Sequence, residues 1–178
     1  MILAFQIPDK LYYIQNFLDH ETYREMHRQV FRDKKINLET TQHEWQKGLL
    51  HGHKNFTKKT QFNSEQYFLK KIKTLLQDNP LHKIECTDFN FILHSMEDGA
   101  GINWHDDGSY EYGVTYYLNR RWNPKFGGEL LFSDNRFSGF IPVKGNSLLI
   151  LKTPVSHKVS AVTKSLVPRK TIQIFINK

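Results

Sequence analysis

Residues 169–177 read Arg169-Lys170-Thr171-Ile172-Gln173-Ile174-Phe175-Ile176-Asn177, and the alternation in this stretch decides the fold. On an extended chain successive side chains point to opposite faces. Arg169, Thr171 and Gln173 therefore share one face and Ile172, Ile174 and Ile176 the other. If the isoleucines pack on helices, Arg169 and Thr171 must look into the interior of a sandwich. A guanidinium buried there requires an anion, because an isolated charge taken out of water is too costly for a fold to carry. The stretch predicts a lined, polar cavity that binds a carboxylate or phosphate.

The same period of two recurs from Lys83 onward. Candidate strands are Glu85 to Met96, Ile102 to Asp107, Tyr112 to Asn119, Glu129 to Asp134, Phe140 to Val143, Ser147 to Thr153, His157 to Thr163 and Arg169 to Asn177. Turn signals at Asp98-Gly99, Asp107-Gly108, Asn123-Pro124, Gly127-Gly128, Lys144-Gly145-Asn146 and Pro168 separate them. The N-terminal half reads as helices. Asp19 is a fitting N-cap for residues 20–35, where Tyr23, Met26, Val30 and Phe31 fall at helical spacing. Ser64 caps a second helix with Phe68, Ile72, Leu75 and Leu76 on its apolar stripe, stopped by Asn79-Pro80. Between them, Ile36 to Asn63 has no sustained period and reads as a long loop with at most a short strand. Two helices before about eight strands argue an α+β fold, a β-sandwich or barrel buttressed by helices. With no repeat or linker, 1–178 is expected to be one domain, 1–80 as mainly helical support and loop and 83–178 as β-core.

Composition narrows the class. The chain has 178 residues, 39% hydrophobic, with a net charge of +7, which fits one globular domain with a sizeable core and excludes a disordered tail. The single cysteine, Cys86, excludes an intramolecular disulfide and a multi-cysteine zinc site, and a reducing, cytoplasmic setting is expected. Neither a signal peptide nor a membrane span is expected, because there is no basic leader and no run of about 18 apolar residues. Between Arg24 and Lys73 lie 12 Lys+Arg and 5 acids, so this segment holds the whole charge excess. A basic surface there would attract nucleic acid or an acidic polypeptide, against the plainer reading of a solvated helix face. His51 and His53, flanking Gly52 with no carboxylate nearby, read as loop residues rather than metal ligands.

Trp104-His105-Asp106-Asp107 carries the only HxD or HxE of the chain. Nine His and nine Asp among 178 residues would give about 0.45 such pairs by chance, so context must decide. On a strand His105 and Asp107 line one face while Asp106 lines the other, which makes Asp107 the candidate ligand. A second inward His is needed on a neighbouring strand, and His157, which opens Ser156-His157-Lys158-Val159, is placed for it. Two His and one carboxylate on one face of an octahedron, with the other positions open, is the ligand set of non-heme Fe(II) in oxygenases. A buried Arg169 beside it favours iron plus a bidentate organic acid, whose far carboxylate the guanidinium fork would hold. Tyr117 adds a hydroxyl. Singly, these residues read equally well as interior histidines and a surface arginine. Jointly, they sit in order on faces that agree.

From about Leu93 to Ile176, through WHDDGSYEYGVTYYLNRRWNPKFGGELLF, IPVKGNSLLIL, VSHKVSAV and RKTIQIF, the sequence resembles the Fe(II)/2-oxoglutarate-dependent dioxygenases, in particular their prolyl 4-hydroxylase-like branch. YYIQNFLDHETYREM is similar to the opening strand and helix of that family. The resemblance implies a double-stranded β-helix (jelly-roll) with helices on the larger sheet. It implies iron ligands His105, Asp107 and His157, and Arg169 on the C5 carboxylate of 2-oxoglutarate, with Thr171 and Tyr117 beside it. It further implies decarboxylation of 2-oxoglutarate by O2, coupled to hydroxylation of a C–H bond, with a prolyl or other amino-acid residue of a protein or peptide as the expected substrate. Two departures stand out. Many relatives have a Tyr on the strand before the HxD, where this chain offers His94 or Ser95. The interval from His157 to Arg169 is longer, with the surplus assigned to the turn at Lys164 to Pro168.

Two other readings compete. Oxidative demethylation of nucleic acid draws on the basic stretch, but those enzymes usually carry a second Arg in the terminal strand, where this chain has Lys170-Thr171-Ile172-Gln173. A non-catalytic β-sandwich binding module would have no reason to hold an intact ligand trio and its Arg.

Overall fold

The computed structural model describes residues 1–32, 39–40, 49–51, 57–61, 66–86 and 88–177. Thirteen strands are present among them: β1 (Ile2–Ile7), β2 (Leu11–Gln15), β3 (Glu39–Thr40), β4 (Leu50–His51), β5 (Thr57–Gln61), β6 (Phe89–Met96), β7 (Gly101–His105), β8 (Tyr112–Tyr117), β9 (Leu130–Asp134), β10 (Phe137–Ile141), β11 (Ser147–Lys152), β12 (Ser156–Val159) and β13 (Arg169–Ile176). They form an eight-stranded sheet, ordered β1-β2-β11-β8-β13-β6-β5-β3, and a five-stranded sheet, ordered β10-β9-β12-β7-β4. All pairings are antiparallel. This is the double-stranded β-helix, and helices α1 (His20–Arg32) and α2 (Tyr67–Gln77) cover the larger sheet.

The terminal strand behaves as its alternation requires. Ile172, Ile174 and Ile176 are fully buried with Tyr23, Met26 and Val30 of α1 and Phe68, Leu69, Ile72 and Leu76 of α2. Each such isoleucine contributes roughly 1.5–3 kcal/mol through burial. The opposite face of β13 looks into the space between the sheets, where Tyr13, Tyr117 and Leu149 of the larger sheet meet Leu130, Phe132 and Ile141 of the smaller one. β13 lies between β8 and β6, with Thr171 opposite both Tyr117 and His94.

Asp19 caps α1 as its sequence predicts, its carboxylate accepting from the Thr22 backbone N–H at 2.9 Å and the Thr22 hydroxyl at 2.7 Å. A buried amide anchors this end of the helix to the sheet. Asn146 Oδ1 accepts from Leu18 N at 2.9 Å and from the Tyr116 hydroxyl at 2.7 Å, and Asn146 Nδ2 donates to Leu18 O at 2.8 Å. Asn146 has φ +59°, a left-handed conformation that Asn tolerates better than most residues.

Several sequence expectations shift. β1 and β2 join the larger sheet; the opening strand implied by YYIQNFLDHETYREM corresponds to β2, whereas β1 falls where the sequence reading has mainly helical support and loop. Exposed Ile2 and Phe5 blur the alternation of β1, and β2 is buried through Leu11–Ile14 because β1 and β11 flank it in the sheet. α2 begins at Tyr67 with Gln66 as an N-cap that makes no side-chain bond, and Ser64 lies outside the described residues, as do Lys34, Lys35, His53 and most of the 36–63 loop. The strand expected over His157 to Thr163 ends at Val159, and a single bridge of Val162 to Gly127 follows. Lys164 then takes φ +55°, so the surplus before Arg169 sits in irregular backbone. No helix among the described residues is long and apolar enough to cross a membrane.

Candidate functional site

β7 and β12 pair in the smaller sheet with His105 directly opposite His157. Their ring centroids are 4.2 Å apart. Asp107 lies just past the end of β7, its two oxygens 3.7 Å from His105 Nε2 and 3.6 Å from His157 Nε2. The three ligand atoms lie within 4.8 Å of one another, close enough to share one ion. Asp106, which lines the same cavity, stays out of the trio, its carboxylate accepting from Gly108 N at 3.0 Å.

Backbone carbonyls set the tautomer of both imidazoles. His105 Nδ1 is 2.8 Å from Asn103 O and His157 Nδ1 is 2.8 Å from Val155 O. A carbonyl only accepts, so each Nδ1 carries a proton, which leaves each Nε2, on the side of Asp107, as the atom that would bind a shared metal. Burial lowers the proton affinity of His157, while the Asp107 carboxylate acts in the opposite sense. A neutral imidazole is the form a metal needs. Gly113 in β8 makes room for the carboxylate, since a Cβ there would lie 2.4 Å from Asp107 Oδ2.

A cavity of about 340 Å³ between the sheets connects this trio to Arg169, Thr171 and Gln173 of β13. Arg169 is 2% exposed. Its Nε donates to Gly128 O at 2.8 Å, its Nη1 faces the Met96 sulfur at 3.7 Å, and its guanidinium carbon lies 5.4 Å from the Tyr117 ring centre. Among the described residues no carboxylate is in ion-pair contact with it, and burial lowers its proton affinity. The fully buried Tyr117 hydroxyl sits beside the Arg169 guanidinium yet makes no hydrogen bond of good geometry. Burial, the larger effect, pushes the phenol's pKa up, while the guanidinium acts to lower it, and the group stays a neutral donor. An unpaired buried cation beside an unsatisfied buried hydroxyl is costly unless an anion joins them. Thr171, 1% exposed, lines the same wall. These residues fit a dicarboxylate that reaches from the metal to the guanidinium.

Five of the residues singled out by sequence, His105, Asp107, His157, Arg169 and Thr171, line this cavity, whereas Tyr117 is buried beside Arg169 and is not part of the lining. Others are added. β6 turns Ile92, His94 and Met96 towards the cavity and Phe91 and Leu93 towards the helices, so His94 rather than Ser95 occupies the wall. Gly113, a glycine inside a strand, carries the usual mark of a close approach, whereas Gly128, read from sequence as part of a turn, is a place where a Cβ would meet Arg169 Cδ at 2.8 Å.

Residues 91–177 match the family described as the 2OG-Fe(II) oxygenase superfamily. No curated protein matches the chain. Among solved structures it is similar to a Pseudomonas putida prolyl-4-hydroxylase (TM-score 0.72, 15% identity, covering 95% of this chain and 93% of the other). It is also similar to a prolyl hydroxylase from Trichoplax adhaerens in complex with a hypoxia inducible factor peptide fragment (TM-score 0.66, 19% identity, 94% and 83% covered). A third is an oxidoreductase of the 2OG-Fe(II) oxygenase family from Burkholderia pseudomallei (TM-score 0.62, 14% identity, 94% and 84% covered). At these identities the structural likeness establishes the fold. Together with the matched segment and the His-Asp-His cluster inside it, it leads to one assignment: residues 91–177 of this chain are a 2OG-Fe(II) oxygenase segment.

Proposed function

We propose that this oxygenase hydroxylates a prolyl or other amino-acid residue of a protein or peptide, with His105, Asp107 and His157 holding Fe(II) and Arg169 holding the C5 carboxylate of 2-oxoglutarate. The observation that carries the cofactor assignment is a buried Arg169, in ion-pair contact with no carboxylate among the described residues, lining with Thr171 the same cavity as the trio. The metal and 2-oxoglutarate, when bound, supply O2 activation and the electrons for inserting one oxygen atom into a C–H bond.

The chain's own residues orient these reactants. The carbonyls of Asn103 and Val155 fix both imidazoles with Nε2 inward. Thr171 and Tyr117 offer hydroxyls beside the Arg169 fork, so the dicarboxylate is held at its far end by one charge and neutral donors. Ile92, Ile102, Leu130 and Val159 form apolar walls that exclude water from the reacting centre and favour a ligand of defined length. The cavity mouth carries Asp106, Ser109 and Tyr110. The peptide reading is supported by the two prolyl hydroxylases of like fold, one of them bound to a peptide. We take 1–178 as one working domain, and the free thiol of Cys86 supports a reducing, cytoplasmic setting.

Succinate formation from 2-oxoglutarate with Fe(II) and O2 tests the enzyme, comparing the wild type with His105→Ala and Arg169→Ala. The wild type turns over and both variants lose activity; equal turnover in all three would reject the site. Proline-containing peptides that gain the mass of one oxygen atom identify the substrate class, and a peptide panel left unchanged by an active enzyme rejects it.

A further inference from the structure

α1 buries Tyr23, Met26 and Val30 against the larger sheet and turns Arg24, Arg28 and Arg32 outward. Their four-residue spacing lays three guanidiniums along one stripe about 12 Å long. Folding then brings more cations to the same place from distant parts of the chain. Arg120 joins Arg24, His27, Arg28 and Arg32 in lining a hollow of about 280 Å³. Arg121 and Phe31 line an adjoining hollow with His27 and Arg120. Lys170 of β13 reaches the end of the stripe, its ammonium donating to Val30 O at 3.0 Å and lying 4.8 Å from the Phe31 ring centre.

Counter-charge is scarce. Arg28 pairs with Glu25. Among the described residues, Arg24, Arg32, Arg120 and Arg121 pair with no carboxylate. The positive potential is felt by His27, whose proton affinity is lowered first by burial and then by Arg120, Arg32 and Lys170, with no acid acting in the opposite sense. Gathering like charges raises the free energy of the native state and is relieved by a polyanion. The surface is all guanidinium but for Lys170, the group suited to forked contact with phosphate and to stacking on planar rings. Beside the stripe, His27 and Phe31 are stacked 4.3 Å apart, Phe31 packing partly against the core and each keeping part of its surface exposed. A phosphate chain bearing planar bases matches both features, whereas an acidic polypeptide matches only the charge.

We infer that the surface formed by α1, Arg120, Arg121 and Lys170 binds single-stranded nucleic acid, with phosphates along the arginine stripe and a base against the His27–Phe31 pair. It lies on the outer face of the larger sheet, whereas the cavity opens between the sheets. Binding therefore docks the enzyme on the nucleic acid without placing the strand at the metal ligands.

The test is fluorescence anisotropy with a labelled oligouridylate of about a dozen nucleotides. Contact with about five phosphates gives a slope near −3.5 in log K against log salt, or about 100-fold weaker binding between roughly 50 and 200 mM salt. The exposed-loop double variant Arg120→Gln, Arg121→Gln should lower the magnitude of that slope by about 1.4 while leaving succinate formation at the wild-type rate. Because the readout is binding, it stands or falls separately from the hydroxylase reading. Absence of binding, a wild-type slope in the double variant, equal binding of polyglutamate of matched charge, or tighter binding of a duplex would each overturn the inference.

Discussion

Replacing Arg169 by methionine is expected to separate stability from cofactor affinity. In the protein without 2-oxoglutarate the guanidinium is 2% exposed, has one backbone acceptor at 2.8 Å, and among the described residues meets no carboxylate. Exchanging an uncompensated buried charge for an apolar side chain of similar volume is neutral or stabilising by about 1–4 kcal/mol. The lost bond to Gly128 O offsets about 1 kcal/mol of that. Arg169→Met alone is therefore between about 1 kcal/mol less stable and about 3 kcal/mol more stable than the wild type. Binding behaves otherwise, since removing one partner of a buried charged pair costs about 3–5 kcal/mol, which weakens 2-oxoglutarate by at least about 100-fold. Urea titrations with Mn(II), with and without 2-oxoglutarate at about 100 times the wild-type Kd, separate the two effects. The wild type gains about 2.7 kcal/mol from the ligand and the variant at most about 0.4 kcal/mol. A variant that loses several kcal/mol without ligand, or that keeps the ligand-dependent gain, would refute the reasoning.

Gly113→Ala pushes a methyl group into Asp107 Oδ2, at 2.4 Å for an unrelaxed chain, and should weaken Mn(II) binding by about 10- to 100-fold, read by titration calorimetry, with the circular dichroism spectrum unchanged. Asn146→Ala strands Leu18 N, Leu18 O and the Tyr116 hydroxyl and should cost at least about 3 kcal/mol, at about 1–3 kcal/mol for each buried unsatisfied group, seen as a lower urea midpoint. His27, His82 and His157 are all held below the ordinary imidazole value, chiefly by burial. Between those lowered values and about 6.5 the unfolded chain binds more protons than the native one, so stability of the metal-free protein falls as pH drops below about 6.5 and levels off above it. Urea midpoints that rise on acidification through this window would contradict the assignment.

Strand alternation carried most of what the sequence could show. In β13 it separated the isoleucine face from the Arg169 face, which holds in the structure because a period of two leaves no freedom once one face is buried. At the HxD it chose Asp107 over Asp106, and Asp107 joins the His pair although it lies just past the end of the strand. β1 escaped notice because Ile2 and Phe5 on this edge strand are exposed, so its pattern lacks a clean buried face. The cation cluster at Arg120 and Arg121 was also hidden. Sequence counting placed the charge excess between Arg24 and Lys73, yet only the return of the chain past α1 sets Arg120 against Arg24, Arg28 and Arg32. His94 could have been assigned to the cavity by counting two residues back from Met96, whose cross-strand partner is Arg169.

The facing pair of His105 and His157 has a consequence for how the molecule opens. Between them the chain leaves the smaller sheet, crosses the larger one through β8, returns by β9 and β10, and crosses again in β11. An ion gripped by both imidazoles ties off that excursion as a removable cross-link, and the cost of closing so long a loop rises only slowly with its length. Chelation should therefore loosen the seam between β7 and β12 first, exposing the irregular backbone after Val159 to limited proteolysis while the helix-backed sheet stays intact.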